Sequence, residues 1–465
     1  LNNMYDLIVI GSGPGGYVAA IRASQLGMNT VVIEKSELGG VCLNWGCIPT
    51  KALLKSVQAL HYAQNHNDYG FDIEGEIKPD LSKIVERSRN VANGMSRGID
   101  FLFKKNKVSV LNGRGKILKP GKVEVTSEDG SVIVVEAKNI IIATGARANS
   151  LPFAPIDGNK IISYRQAMVP ETLPKSLAVI GSGAIGSEFA YFYRSLGVEV
   201  YLIEYLPNIV PLEDDEVSAL LSRSFRKMGI KVLTSAQVKG VDTSGEKCVI
   251  TVETKKGEEK IEVERVLSAV GVVANIENIG LEENGVVTER GKIKVDNYYS
   301  TNINGIYAIG DVLATPALAH IASAEAICCV EKIAGVDVKP LDYTNFPGCT
   351  YTSPEIASTG QTERAVKESG VDYKIGKFQF TASGKASAAG ERDGFVKLII
   401  DSESDKILGA HLIGANVTEM LSGIVVARRL GATAKDIIHS IHPHPTMSEA
   451  IMEAAAAAHS EAIHI

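Results

Sequence analysis

Cysteine, tryptophan and long apolar runs are what this sequence has least of. Its 465 residues hold six cysteines and one tryptophan. Six thiols cannot form a disulfide scaffold in a chain this long, so any that pair have to be explained by chemistry. No apolar run approaches the roughly 18 residues needed to cross a bilayer, which speaks against membrane insertion. The N-terminus has neither the cationic nor the apolar region of a secretory signal. A basic excess is also missing: 48 Lys and Arg stand against 54 Asp and Glu, a formal charge of −6. Without surplus cations for a phosphate backbone, no nucleic-acid partner is expected. A soluble cytoplasmic protein is expected, or equally a mature organellar one.

What is present is ordinary for globular chains, with 45% apolar and 22% charged residues, and 44 glycines that point to tight turns and close backbone approaches. At a typical domain length of about 150 residues, one core cannot account for the chain, and two to four domains are expected.

Organisation shows first as a repeat. Tyr5 to Ile10 is an apolar strand entering Gly11-Ser12-Gly13-Pro14-Gly15-Gly16, followed by a helical stretch and a second strand ending at Glu34. The pattern returns from Leu177 through Gly181-Ser182-Gly183-Ala184-Ile185-Gly186 to Glu204, with the same separation between first glycine and acid. Gly11, Gly13 and Gly16, and again Gly181, Gly183 and Gly186, fit G-x-G-x-x-G: one glycine for the turn, one for approach of a pyrophosphate, one for close helix packing. Glu34 and Glu204 end the second strands, where a carboxylate accepts from a ribose 2′-hydroxyl and repels a 2′-phosphate. A ligand-free glycine turn is the bland reading, and duplication of the whole unit weighs against it. Tyr205 and Leu206 follow Glu204 with no nearby cation, which favours NAD over NADP. After residue 344 alternating strands and helical stretches suggest an α+β domain. The expected fold is α/β: two Rossmann-like dinucleotide-binding domains plus a C-terminal α+β domain, to which the family resemblance given below assigns the part of a dimerisation domain. Expected boundaries, with the last two roles taken from that resemblance, are 1–149 for FAD, 150–273 for NAD, 274–343 as a central segment returning to the FAD domain, and 344–465 as the interface domain.

Cys42 and Cys47 lie in Gly39-Gly40-Val41-Cys42-Leu43-Asn44-Trp45-Gly46-Cys47-Ile48-Pro49-Thr50-Lys51. In an ideal helix their spacing gives about 7.5 Å of rise, beyond the roughly 6.8 Å limit for a disulfide, so a bond needs a distorted turn, which Gly46 permits. As a staple it would contribute only about 2 kcal/mol, against nearly 5 for a loop of about 100 residues. A strained small-loop disulfide suits redox exchange better. Two free core thiols or half a metal site are the other readings, but no Cys or His cluster completes a tetrahedral set, and no metal is expected. Cys248, Cys328 and Cys329 read as buried small hydrophobes, the first in a strand and the other two in a helix, and Cys349 as a loop residue.

These motifs resemble the flavin-dependent pyridine nucleotide–disulfide oxidoreductases over essentially the whole chain. Further matches are Ala143-Thr144-Gly145, Ile309-Gly310-Asp311 before Leu318-Ala319-His320, and His442-Pro443-His444-Pro445-Thr446-Met447-Ser448-Glu449. The resemblance is nearest to members that oxidise protein-bound dihydrolipoamide with NAD, in 2-oxo acid dehydrogenase or glycine-cleavage systems. It implies FAD contacts at Glu34, Lys51, Gly115, Thr144, Gly145, Asp311 and Ala319. It implies NAD contacts at Gly183, Gly186, Glu204, Val238 and Gly271, and a homodimer in which His444 and Glu449 come from the partner subunit. Lipoyl-bearing acyltransferases or a glycine-cleavage carrier are the implied docking partners. Departures are Gly271-Val272-Val273-Ala274-Asn275, where relatives often have Gly-Arg-x-Pro-Asn, and Ala148, where a proline is common.

A thiol of pKa near 8.5 is only about 3% thiolate at pH 7, so the chemistry needs a base, which His444 supplies with Glu449 orienting it. Thr446-x-x-Glu449 also fits a helix capping box. A glutathione-type reductase is the alternative within the family, but would want cations near Tyr205. Mercuric chemistry would want a C-terminal Cys pair where the chain reads Ala462-Ile463-His464-Ile465. A nucleotide-binding subunit without catalysis would not need Cys42, Cys47 and His444 together.

Overall fold

Tyr5–Ile10 is flanked on both sides by parallel strands, Thr30–Glu34 and Val132–Ile142, and its Leu7, Ile8 and Val9 are wholly buried. Strands covered on both faces read as unbroken apolar runs rather than alternating ones. The computed structural model describes residues 4–465, so the first three positions of the expected FAD domain lie outside it. The chain divides into two compact units: Leu1–Leu53, Asp80–Asn149 and Val272–Leu341 form one, and Leu54–Pro79, Ser150–Gly271 and Asp342–Ile465 the other.

In the first unit the parallel sheet runs Ser109–Asn112, Thr30–Glu34, Tyr5–Ile10, the end of Val132–Ile142, then Ile306–Ala308. The long strand Val132–Ile142 serves twice, since its first half pairs antiparallel with Lys122–Thr126, which pairs with Arg114–Lys119. Helix Pro14–Gln25 carries Gly15, Ala19, Ala20 and Ala23 on its buried face. These small residues permit close approach of helix Ala319–Ile333: a Cβ on Gly15 would stand 3.4 Å from the Ala322 carbonyl oxygen.

The second unit repeats the design. Lys231–Leu233, Glu199–Ile203, Ser176–Ile180 and Arg265–Ser268 form a parallel sheet in the same order, and its fifth strand, Ile161–Ile162, precedes the others in the chain where Ile306–Ala308 follows them in the first unit. It also contains a five-stranded antiparallel sheet ordered Pro347–Thr350, Glu355–Gly360, Ile407–Gly414, Phe395–Asp401, Tyr373–Gln379. Cys349 lies in the first of these strands, not in a loop. Pro347 and Gly348 look like turn residues, but proline is tolerated at the first position of an edge strand, which is where Pro347 sits. No helix among the described residues is long and apolar enough to cross a membrane.

Candidate active site

The two glycine turns are built alike. Gly11 and Gly181 have φ of +102° and +96°, and a Cβ on either would meet a backbone oxygen at 2.3 or 2.4 Å. On Gly16 and Gly186 it would stand 1.9 and 2.0 Å from the carbonyl oxygen of the first glycine. The chain itself therefore requires these four. The middle glycines differ: nothing lies closer than 4.0 Å to a Cβ on Gly13, and nothing within 4 Å of one on Gly183. Their smallness leaves room above a helix N-terminus for a phosphate-bearing ligand.

The two acids are held identically. Ser12 donates its N–H and its hydroxyl to Glu34 Oε2 at 2.8 and 2.6 Å, and Ser36 N–H reaches Oε1. Ser182 does the same for Glu204 Oε2 at 3.0 and 2.7 Å, with Leu206 N–H on Oε1. In each carboxylate one oxygen is saturated, while the other accepts a single bond and keeps a lone pair for a ribose hydroxyl.

Ser12 also accepts the Gly39 N–H, tying the cysteine segment to the first turn. Gly40, at φ +60°, packs so closely there that a Cβ would come within 2.6 Å of Gly13 Cα. Helix Gly40–Trp45 then stops at Gly46 and a new helix, Cys47–Gln64, begins. A Cβ on Gly46 would stand 3.0 Å from the Val41 carbonyl oxygen and 3.3 Å from Cys42 Cα. This break folds Cys47 back on Cys42. Both are free thiols here, and the Cys42 thiol is pushed well up by its hydrogen bond with Cys47 and by burial, while the Lys51 charge pulls it down.

Helix Leu81–Lys105 fixes this arrangement from outside. Arg87 donates to the Ala52 carbonyl, Ser88 to Pro49 and Arg89 to Asn44, and the Arg89 guanidinium lies 4.2 Å from the centre of the Trp45 ring. Sequence reasoning missed these residues, since nothing local connects them to the cysteines. It also missed Tyr17, whose phenol is raised by burial and by the charges of both sulfurs.

Asp311 sits in a turn whose Gly310 N–H donates to buried Glu325 at 2.6 Å. Its carboxylate accepts no hydrogen bond from any described residue, and burial raises it despite the Lys292 charge. A half-buried acid with open lone pairs suits a ligand hydroxyl. Gly115 is buried with a Cβ direction 3.1 Å from Ile10 Cγ2, and Ala319 opens helix Ala319–Ile333. Thr144 donates its hydroxyl to Asn275 O, and Asn275 N–H returns to Gly145 O. The departures noted in sequence lie opposite one another, Val272 facing Ala148 in a short antiparallel pair. Val238 is half-buried in strand Gln237–Asp242, and Gly271 has φ +92° with open space around it.

In the second unit, His444 is 79% exposed and its Nδ1 lies 2.9 Å from Glu449 Oε1. Only half of the capping box forms: Thr446 N–H reaches Glu449 Oε2, but the Thr446 hydroxyl donates to Pro443 O. Glu449 is instead the first residue of helix Glu449–Ala457. Burial works upward on its carboxyl, and the Thr446 N–H and His444 outweigh it, so the net direction is down. Neighbouring His442 turns its Nε2 to Ile437 O, a local contact.

Residues 5–326 match the pyridine nucleotide-disulphide oxidoreductase family, and residues 346–455 match its dimerisation domain. The chain belongs to this family. Among pyridine nucleotide-disulphide oxidoreductases it is 49% identical to the dihydrolipoyl dehydrogenase of Rhizobium etli over 97% of each chain. It is 48% identical to that of Zymomonas mobilis over 99% of each, and 43% identical to the mitochondrial one of Pisum sativum over 99% of this chain and 92% of the other. The crystal structure of LpdA from Mycobacterium tuberculosis superimposes with a TM-score of 0.89 at 29% identity, covering 97% of this chain and 99% of that one. The HOCl-induced flavoprotein disulfide reductase RclA of Escherichia coli shares the fold, at 24% identity and a TM-score of 0.85.

Proposed function

We propose that this chain oxidises protein-bound dihydrolipoamide to lipoamide and reduces NAD to NADH, with FAD and the Cys42–Cys47 pair. The observation that carries this reading is the cysteine pair seated directly behind the first dinucleotide turn, in a family member whose relatives, 40–49% identical over nearly their full length, are dihydrolipoyl dehydrogenases. FAD would be held at the first turn by Gly13, Glu34, Asp311 and Lys51, and NAD at the second by Gly183 and Glu204. We read 1–149 with 274–343 as the FAD part, 150–273 as the NAD part, and 344–465 as the interface domain of a homodimer.

The substrate meets the pair as a disulfide. One dihydrolipoamide thiol gives its proton to His444 and attacks Cys42 Sγ, the Cys42–Cys47 bond breaks, and Cys47 leaves as thiolate. The second substrate thiol attacks the sulfur joined to Cys42, its proton passes to the departing Cys42 sulfur, cyclic lipoamide is released, and two electrons remain on the pair as a Cys42 thiol and a Cys47 thiolate. His444 of the partner subunit would be the base, its Nδ1 fixed by Glu449 so that Nε2 faces the proton. The raised Cys42 thiol supports Cys47 as the sulfur that carries charge in the reduced pair. When bound, FAD supplies the relay that takes this electron pair and delivers it to NAD as hydride. Lipoyl-bearing acyltransferases or a glycine-cleavage carrier would present the substrate. A glutathione-type reading is weaker, since exposed Tyr205 and Leu206 beside Glu204 offer no cation for a 2′-phosphate.

A steady-state assay tests this. NADH should form from dihydrolipoamide and NAD, and Cys47→Ser should abolish it while keeping bound flavin. Reduction of glutathione disulfide by NADPH, without dihydrolipoamide turnover, would contradict the reading.

A further inference from the structure

Beyond Glu204 the chain forms a strap, 205–213, leading to helix Asp215–Lys227, and it is tied at both ends. At the near end Val210 N–H donates to the carbonyl of Ser182, the same residue that holds Glu204. Val210 is buried with φ of +41°. A β-branched residue in that region is strained and persists only where its surroundings impose it. Here the Glu213 N–H clamps the Val210 carbonyl at 2.9 Å.

At the far end the strap meets the antiparallel sheet. Its registers place Gly348, Ser358, His411, Lys397 and Lys377 directly opposite one another, a row across five strands on one face. Lys397, 1% exposed, reaches Asp214 at 3.0 Å, Glu216 at 2.8 Å and Glu363 at 2.6 Å, so one buried ammonium serves three carboxylates. Lys377 adds its charge at Glu216. Among the described residues Glu213 has no cation of its own. Its Oε2 is buried without a hydrogen-bond partner, beside the charge of Asp214, and His411 Nδ1 on the same row is also buried and unpartnered.

We propose that Glu213 is a proton-binding positioning residue for the second nucleotide site: with a proton on Glu213 the strap is seated and NAD binds tightly, and without it the added carboxylate beside Asp214 unseats the strap and weakens NAD binding. This rests on the reading of Gly181 to Glu204 as the NAD turn. Burial pushes the Glu213 carboxyl up to about 7, the Ser358 hydrogen bond opposes this and the Asp214 charge adds to it, so the proton exchanges in the neutral range. Burial lowers His411, which stays neutral there. Glu216 and Glu363 are pulled down by the lysines, Glu216 against its burial, and remain charged.

Calorimetric titration of NAD into the flavin-loaded enzyme on either side of pH 7 tests this. The dissociation constant should rise about fivefold with pH in the wild type, a modest coupling between sites. Glu213→Gln should hold the low value throughout. Val210→Gly, which loosens the clamp while keeping its N–H, should flatten the pH dependence of binding yet leave the pH dependence of thermal unfolding. A flat wild-type profile, or a Glu213→Gln profile matching wild type, overturns the proposal. Wild-type protein that binds NAD at no pH overturns the nucleotide reading, and the proposal with it.

Discussion

Nδ1 of His444 lies 2.9 Å from Oε1 of Glu449, while the other oxygen of that carboxylate takes the Thr446 N–H at 2.8 Å. The carboxylate is thus fixed from the backbone and in turn fixes the ring, leaving Nε2 outward. Replacing His444 by Gln should lower kcat for dihydrolipoamide by about 10²–10⁴-fold, the usual contribution of a positioned base. Glu449→Gln keeps a hydrogen-bonding group but loses the charge, and should cost about tenfold, since each 1.36 kcal/mol is a factor of ten. Stopped-flow reduction of the enzyme by dihydrolipoamide checks both, with bound flavin unchanged.

The glycines separate fold from ligand. Gly183→Ala adds a methyl where nothing lies within 4 Å, and Gly13→Ala one with no neighbour closer than 4.0 Å, so unfolding should be unaffected. NAD affinity should fall at least about tenfold in the first and flavin retention in the second, because the methyl fills the space a pyrophosphate needs. Gly186→Ala, whose methyl would meet a backbone oxygen at 2.0 Å, should instead be recovered poorly or unfold early. Circular dichroism melts alongside nucleotide titrations distinguish the two outcomes.

Gly46→Ala should damage the redox pair specifically. Its methyl presses on the Val41 carbonyl and on Cys42 Cα, the points about which Cys47 is folded back. The variant should keep flavin but reoxidise its dithiol slowly, as thiol counting during controlled oxidation would reveal. Wild-type rates in Gly46→Ala would show that the helix break does not set the geometry of the pair.

How much of this was legible in the sequence follows from how local each feature is. The glycine turns, Glu34 and Glu204, and Cys42 and Cys47 each sit within one short stretch whose spacing carries its chemistry, whereas the expected part of His444 with Glu449 came from the family resemblance, because the local spacing fits a helix cap equally well. The polar row was not legible, because Ser358, His411, Lys397 and Lys377 become neighbours only through strand registers that join distant segments. Each residue alone reads as an ordinary polar position in an alternating strand. Arg89 was hidden for the same reason, on a helix far along the chain, and nothing local links Tyr17, in the helical stretch after the first turn, to the two sulfurs. Cys349 was misplaced because edge-strand proline and turn proline look alike in one dimension.

Buried charge sets the pH range of stability. Glu363 is held down to about 2 by hydrogen bonds from Lys367 and Lys397, so its contribution is full above its ordinary value near 4.5 and is lost as pH falls towards 2. Glu213, raised to about 7, has the opposite sign: its contribution is full below about 4.5 and lost as pH rises through 7. Thermal midpoints should therefore peak in mildly acidic buffer. Glu213→Gln should remove the decline towards neutrality, and differential scanning calorimetry across pH reads both limbs. Lys397→Met should be far worse, costing about 3–5 kcal/mol as buried Asp214 is left without a cation in the interior, which a denaturant titration would measure.

The most direct test of the central claim is an anaerobic absorbance titration of the flavin-loaded protein with dihydrolipoamide, followed by NAD. The account predicts a flavin spectrum that gains a long-wavelength band, as a Cys47 thiolate comes to lie against the flavin, and then loses it as NADH forms in stoichiometric amount. A flavin spectrum that dihydrolipoamide leaves unchanged would contradict it, and would move the substrate of Cys42 and Cys47 to a different disulfide.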